Sequence, residues 1–521
     1  MPPLLSPRAG APAIHDPRRL RAILVAVCVA LMAVIASVSG LNVAQQEIAL
    51  AFGASQGTVL WIINIYTITL AALLLPLGAV GDRWGRKPVL LAGLVVFGVA
   101  SAAAGLATSS AVMIAARLVS GVGAAMIMPV TLAVITSTFP QERRSKAIGV
   151  WTGVAGGGGL LGMYLSALLV DVASWRWLFA LPVALVIVAA VLALRSVPNS
   201  REEPRYGFDV AGSLTSVVAT VGLIFVLHEG PERGWTAPST LGSLLVGLIG
   251  AAGFVAWELL RRGPLLDVRL FRERGLASGS VSLLTVFGVQ AGIFVVLFPY
   301  LQAVLGWSGL RSTLALMPMA LLMMLASGLA PRVAARAGSR ATMASGILVG
   351  GAGLALMATF VSVDGGYLSV LPGMLAIGLG MGLAMTPSTE AITAALPHER
   401  QGVASALNDV TREFGTALGV ALLGAILSAG YRGAIDSRLD GIPQETAGTA
   451  REGIANALAA ADGAGFRAPA LIRAAQESFV DGWRQAMWAG VAVMAILFVY
   501  VLARGPRRTP PGAGRGQLPP Q

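Results

Sequence analysis

Long apolar runs recur about fourteen times along this chain, and no soluble core could absorb that many. They fall at approximately 22–43, 57–80, 88–108, 110–137, 146–170, 176–195, 208–228, 240–260, 276–299, 311–331, 341–361, 367–394, 403–429 and 485–504. Each holds about 20 residues or a little more, the length an α-helix needs to cross a bilayer. Apolar residues make up 56% of the chain and charged residues 12%, where soluble proteins carry roughly 25% charged residues. The fold class that follows is an all-α polytopic membrane protein. The first run is too long for a cleaved signal segment and reads as an uncleaved span. A single cysteine, Cys28, excludes an internal disulfide.

The charges lie between the runs and alternate in density. With the N-terminus placed in the cytoplasm, the inner segments hold Arg18, Arg19 and Arg21, then Arg83, Arg86 and Lys87, then Arg143, Arg144 and Lys146. The later inner segments continue with Arg261, Arg262, Arg269, Arg272, Arg274, Arg332, Arg336 and Arg340. The short outer loops hold Arg176, Arg233 and Arg311. This positive-inside asymmetry predicts an even number of spans with both termini cytoplasmic, in what is expected to be the plasma (inner) membrane. The net charge of +12 therefore serves topology and does not call for nucleic acid.

The most informative loop lies between the second and third runs, at Gly78-Ala79-Val80-Gly81-Asp82-Arg83-Trp84-Gly85-Arg86-Lys87. Gly81 and Gly85 offer the backbone freedom of a sharp reversal. Asp82, a carboxylate at a helix end among cations, suits a latch made of salt bridges and helix-dipole contacts. A weaker copy, Ala335-Arg336-Ala337-Gly338-Ser339-Arg340, sits at the equivalent place in the second half and lacks the carboxylate. Such repeats mark transporter folds. The expected organisation is a cytoplasmic tail at 1–21, a six-helix bundle at 22–200, and a linker with two extra spans at 201–265. A second six-helix bundle follows at 266–504, including an extracytoplasmic connection at 431–484, and a tail at 505–521. The Ala-rich 431–484 connection is expected to be disordered or loosely helical, with short surface helices, and a substrate lid is the alternative.

The 78–87 loop resembles the signature loop of the major facilitator superfamily, matched by Gly78, Asp82, Arg83, Gly85, Arg86 and Lys87. The stretch from Asp209 to Trp235 and the segment Pro264–Phe271 are similar to the extra helix pair of that family's fourteen-helix drug:proton antiporter branch. The resemblance runs from about 35 to 430 and implies two six-helix bundles plus two helices, alternating access, and a protein that works as a monomer among membrane lipids. It also implies a role in proton coupling for Arg117, within Arg117-Leu118-Val119-Ser120-Gly121-Val122-Gly123. A purely structural role, binding carbonyls or a carboxylate, is the alternative. Several positions depart from the family, among them Ser120, where the fourth-span motif often has Gln, and Ser166-Ala167, where Gly-Gly is expected in the fifth. Ser37 stands where many relatives carry an acid in the first span. In the fifth span, rich in glycines such as Gly153, Gly158 and Gly162, Met163 replaces the expected proline.

The chain has no nucleotide-cradling loop, no metalloprotease helix and no nucleophile elbow, and three histidines with one cysteine make no metal cluster. No cofactor or metal and no enzymatic activity are expected, so an ion gradient or downhill substrate flow must drive any transport. In the thirteenth run, Asp409 and Glu413 are four residues apart and share a helix face. One of two such carboxylates tends to hold a proton, as a proton carrier must. Arg412 points in an adjoining direction, toward a carboxylate on a neighbouring helix. A structural ion network is the alternative reading. Asn42, Asn64, Tyr66, Phe287, Gln290, Phe294 and Met317 are candidate substrate-cavity residues, and few fixed charges among them favour lipophilic or delocalised cations. The function expected is export of small lipophilic, cationic drugs or metabolites in exchange for protons. The alternatives are facilitated transport of a metabolite without proton exchange, and a non-transporting receptor or lipid-binding scaffold.

Overall fold

The computed structural model describes residues 16–41, 44–200, 207–440, 442–461 and 468–506. Among them are 14 helices long and apolar enough to cross a membrane. We number these spanning helices α1 (Pro17–Leu41), α2 (Gln56–Trp84), α3 (Arg86–Gly105), α4 (Ser110–Thr138), α5 (Gln141–Val172), α6 (Ala180–Ser196) and α7 (Val210–Arg233). There follow α8 (Pro238–Leu260), α9 (Arg274–Pro299), α10 (Met317–Ala337), α11 (Ser339–Phe360), α12 (Gly366–Ala395), α13 (Gln401–Ile435) and α14 (Ala468–Arg504). Large apolar side chains such as Leu248, Ile249 and Ile496 stand exposed on their outer faces, as a lipid-facing surface requires.

The chain forms two compact units. One comprises Met1–Leu223, Leu244–Asp267 and Leu396–Val410; the other comprises Ile224–Ser243, Val268–Ala395 and Thr411–Gln521. In the first, α4 packs on α2 and α3, α1 packs on α4, α5 and α6, and α3 packs on α6. In the second, α12 packs on α10 and α11, α9 packs on α12 and α14, and α11 packs on α14. The same pattern recurs when eight is added to each helix number, so the weak sequence repeat reports a structural repeat. Its clearest local sign is the turn after the second helix of each set. Gly85 has φ 109° and Gly338 has φ 91°; each is the one residue between two helices. A side chain at such φ is strained, which is why glycine stands at both. The reversal is tighter than the sequence suggests. Gly81 is inside α2, where a Cβ would lie 3.0 Å from Val130, and Gly85 alone makes the turn.

Small residues set the helix spacing. In the second unit, Gly288 and Gly292 of α9 face Gly415, Gly419 and Leu423 of α13. A Cβ on Gly419 would collide with the Gly288 carbonyl. In a bilayer, where lipid tails are as apolar as leucine, such close backbone approach is what holds helices together.

The extra helices α7 and α8 are joined at one end by a buried polar cluster. Asp209 caps α7, its Oδ1 accepting from Gly212 N at 2.9 Å and from Trp257 Nε1 at 3.0 Å. Its Oδ2 faces Arg261 Nε at 3.3 Å. Glu258, fully buried, accepts from Leu266 N at 3.3 Å and so fixes the segment after α8.

Between α13 and α14 the described residues include the short helices expected, and the two spanning helices extend toward them. Both helices run well past their apolar stretches, to 35 and 37 residues. Two short helices, Gln444–Glu452 and Ile454–Ala461, lie between them. Alanine-rich composition allows this, and ion pairs fix it: Arg438 with Asp481 at 2.8 Å, Arg451 with Asp436 at 2.6 Å, and Arg473 with Asp364 at 2.7 Å. Tyr431 adds a hydrogen bond from its hydroxyl to the Ala450 carbonyl at 2.8 Å.

Candidate functional site

The α2–α3 turn brings its charges together at the start of α13. Asp82, in the last turn of α2, is 7% exposed. Both its oxygens accept from Gly402 N at 2.8 Å, and Oδ2 also accepts from Val403 N at 3.2 Å. These are among the first amides of α13, which have no partner within their own helix, and the positive end of the helix dipole favours an anion there. On its other side Asp82 receives Nη2 of Arg86 at 2.9 Å. Gly78 makes this approach possible: a Cβ there would lie 2.6 Å from the Gly402 carbonyl, and one on Gly402 would strike the Gly78 carbonyl. The remaining members of the signature brace the turn. Lys87 donates to the Leu194 carbonyl at 2.8 Å and the Arg86 amide to the Ser200 carbonyl at 3.0 Å. Arg83 is half-buried. The segment just before α13 is held as well, since Arg400 donates to the Pro264 carbonyl at 2.9 Å, within the loop that Glu258 pins.

A second charged site lies near the opposite end of α2 and α4. Arg117 of α4 is 1% exposed. Its Nη1 donates to Ser37 Oγ of α1 at 2.9 Å, its Nε to the Ile62 carbonyl of α2 at 3.3 Å, and its guanidinium lies 4.1 Å over the Tyr66 ring. Tyr66 is fully buried, and its hydroxyl donates to the Val34 carbonyl at 3.3 Å. It is thus the floor of the arginine site. Asn64 is half-buried on the same helix. Asn42 lies outside the described residues. On α5, Gly158 and Gly162 let α1 approach: a Cβ on Gly158 would lie 3.1 Å from Met32, and one on Gly162 3.0 Å from the Ala36 backbone. Gly153 is buried.

On α13, Asp409 is fully buried and Glu413, one turn on, is half-buried. Asn408 Nδ2 donates to Asp409 Oδ1 at 3.3 Å. Arg412 stacks 4.5 Å over the Phe287 ring of α9, a cation–π contact. Gln290, also on α9, is buried and directs Nε2 at Met323 Sδ of α10, 3.6 Å away. Phe294 and Met317 are half-buried. Sequence reasoning missed the α9–α13 glycine contacts, although small residues spaced four apart (288/292 and 415/419) were legible as a close-packing signal. It also missed the Asp209–Glu258 cluster, whose members lie 49 positions apart and meet only through folding.

A bundle of membrane helices repeated once, with a buried carboxylate at the turn between its second and third spans, defines a polytopic membrane transporter. The chain belongs to the Major Facilitator Superfamily, whose model matches residues 25–420. It is 30% identical over 470 residues to the multidrug resistance protein Stp of Mycobacterium tuberculosis, covering 88% of this chain and 87% of that one. It is 31% identical over 455 residues to the multidrug efflux pump LfrA of Mycolicibacterium smegmatis, covering 87% and 88%. Among solved structures, the human organic anion transporter MFSD10 (TETRAN) shares the fold, with a TM-score of 0.60 at 14% identity over 94% of this chain and all of the other.

Proposed function

We propose that this chain exports small lipophilic drugs or metabolites across the plasma membrane in exchange for protons, by alternating access, with both termini cytoplasmic. The observation that carries the reading is near-full-length similarity to proteins named for multidrug resistance and efflux. The geometry supports it with two separable devices. Asp82 bonded to the first amides of α13 is a latch that must break and reform as the inner side opens and closes. Asp409 and Glu413, one turn apart, are the groups assigned to carry the proton, with Arg412 beside them. The cargo is drawn from the lipid phase or cytoplasm, and the chain acts as a monomer.

The test is substrate-driven proton flux. Purified protein in liposomes with a trapped pH-sensitive dye is given a proton gradient and a lipophilic drug, with Glu413→Gln alongside. Substrate-dependent proton movement, lost in Glu413→Gln, is expected. Substrate movement with no proton flux would overturn the antiport step. It would favour facilitated transport, a second reading that the hydroxyl of Ser37 at the place of the family's first-span acid supports.

A further inference from the structure

Among the described residues the guanidinium of Arg117 has no fixed counter-charge. We infer that the α1–α2–α4 site around Arg117 is a seat for a compact anion, and that its occupant during transport is a carboxylate carried by the substrate. This rests on the export reading and narrows it to anionic or zwitterionic amphiphiles.

The same unit supplies the contrast. Arg86 is also 1% exposed, and it is ion-paired with Asp82 at 2.9 Å. Arg117, equally buried, makes no ion pair with any described residue; its contacts are the Ser37 hydroxyl, the Ile62 and Ser37 carbonyls and the Tyr66 ring. Its Nη2 is buried and has no hydrogen-bond partner among the described residues. A charge removed from water without a partner is costly, and charges within membrane spans are as a rule paired or functional. A guanidinium retains its proton under any condition a cell offers, so the site cannot relax by going neutral. An anion taken into the site would supply the missing charge.

The geometry selects what kind. One fork of the guanidinium is engaged by neutral acceptors and the other nitrogen is open, which suits a carboxylate docking on Nη2. The Tyr66 ring closes one face of the guanidinium plane, so the anion must come from the edge. The site lies seven residues into α4 from Ser110, about 10 Å along the helix. That depth is inside the apolar layer, where a free inorganic ion arrives reluctantly but a carboxylate attached to a lipophilic body is carried in. A cationic cargo would bring no anion to Arg117; a carboxylate on the cargo brings one.

The test uses the full chain in lipid nanodiscs and a matched dye pair: rhodamine B, which has a free carboxylate, and its ethyl ester, which does not. Binding is read by fluorescence anisotropy, with no proton gradient. Wild type is expected to bind rhodamine B at least about tenfold more tightly than the ester. Ser37→Ala, which leaves the charge, should retain that preference, and Ser37→Asp, which installs a fixed counter-charge, should lose or reverse it. Raising chloride at constant ionic strength distinguishes the sources. If it competes with rhodamine B, both anions share the seat. If chloride raises the thermal midpoint of wild type but not of Ser37→Asp, while the two dyes bind alike, the seat belongs to an inorganic anion and the substrate assignment is wrong. Equal dye affinities with no chloride effect overturn the seat altogether. Should Ser37→Asp fail to fold, the dye pair and chloride competition in wild type and Ser37→Ala still decide. Because these are equilibrium measurements, a failure of proton-driven export in liposomes leaves their outcome untouched.

Discussion

Replacing Asp82 with asparagine removes one charge and leaves the shape. The asparagine keeps a single acceptor oxygen, so the Gly402 and Val403 amides lose part of their partner, and Arg86, 1% exposed, is left without its anion. Removing one member of a buried ion pair costs about 3–5 kcal/mol. The lower figure applies here, because the turn lies at a helix end and Arg86 can be partly re-solvated once the contact opens. A loss of about 3 kcal/mol shifts the ratio of latched to unlatched protein by roughly a hundredfold, at about 1.4 kcal/mol per factor of ten. Ser405, fully buried in the second turn of α13, reports this directly. In a Cys28→Ser background, Ser405→Cys should react slowly with a maleimide in the parent. It should react roughly a hundredfold faster once Asp82→Asn is added, if reaction requires opening. Substrate binding should persist while the transport cycle slows. Labelling within twofold of the parent, in a protein with an unchanged thermal midpoint, would refute the latch.

Gly402→Ala tests the same contact by steric means. Its Cβ meets the Gly78 carbonyl and Asp82, so α2 and the start of α13 must separate even though every charge is intact; the Ser405→Cys labelling rate should rise as it does for Asp82→Asn. Asp209→Ala removes the α7 cap and strands Trp257 Nε1 and Arg261. A cap alone is worth about 1 kcal/mol and each further lost bond about as much, so a fall in thermal midpoint consistent with about 2–3 kcal/mol is expected. An unchanged midpoint would show that the cluster does not hold the α7–α8 pair.

Much of this fold is written in one-dimensional pattern. Span length and the positive-inside bias need only counting along the chain, and the structure contains the fourteen spans that such counting gives. The signature loop was equally legible, because a glycine turn, an acid and three cations fall within ten residues. What the sequence concealed is of two kinds. Helical extensions beyond the membrane, as in α13 and α14, have no apolar signal; they are held by ion pairs such as Arg438–Asp481, separated by 43 positions. Partners chosen by tertiary packing were also hidden. The Phe287 ring that Arg412 stacks on lies far away in sequence, and no spacing rule points to it, though a guanidinium in an apolar surround gains from an aromatic face. Tyr66 beneath Arg117 is a second such pairing, made between α2 and α4. The absence of an acid at position 37, by contrast, was visible in sequence, and the structure supplies its consequence by placing the Ser37 hydroxyl on Arg117.

The second copy of the signature turn separates geometry from charge. Gly338 repeats the positive φ of Gly85 and stands between α10 and α11 as Gly85 does between α2 and α3. Yet Ala335, at the position equivalent to Asp82, is exposed, whereas Asp82 is 7% exposed against the amides of α13. The position equivalent to Arg86 is Ser339, so the local cation is missing too. The repeated glycine therefore answers a requirement of the backbone alone, and the buried carboxylate is found at the first of the two turns. It follows that Ala335→Asp should be nearly silent. An exposed carboxylate with no helix N-terminus to cap contributes about 0–1 kcal/mol at most, and neither the thermal midpoint nor the transport rate should move beyond that. Slowed transport in Ala335→Asp with an unchanged midpoint would mean that this turn also meets a helix end during the cycle, and that the two halves latch in alternation.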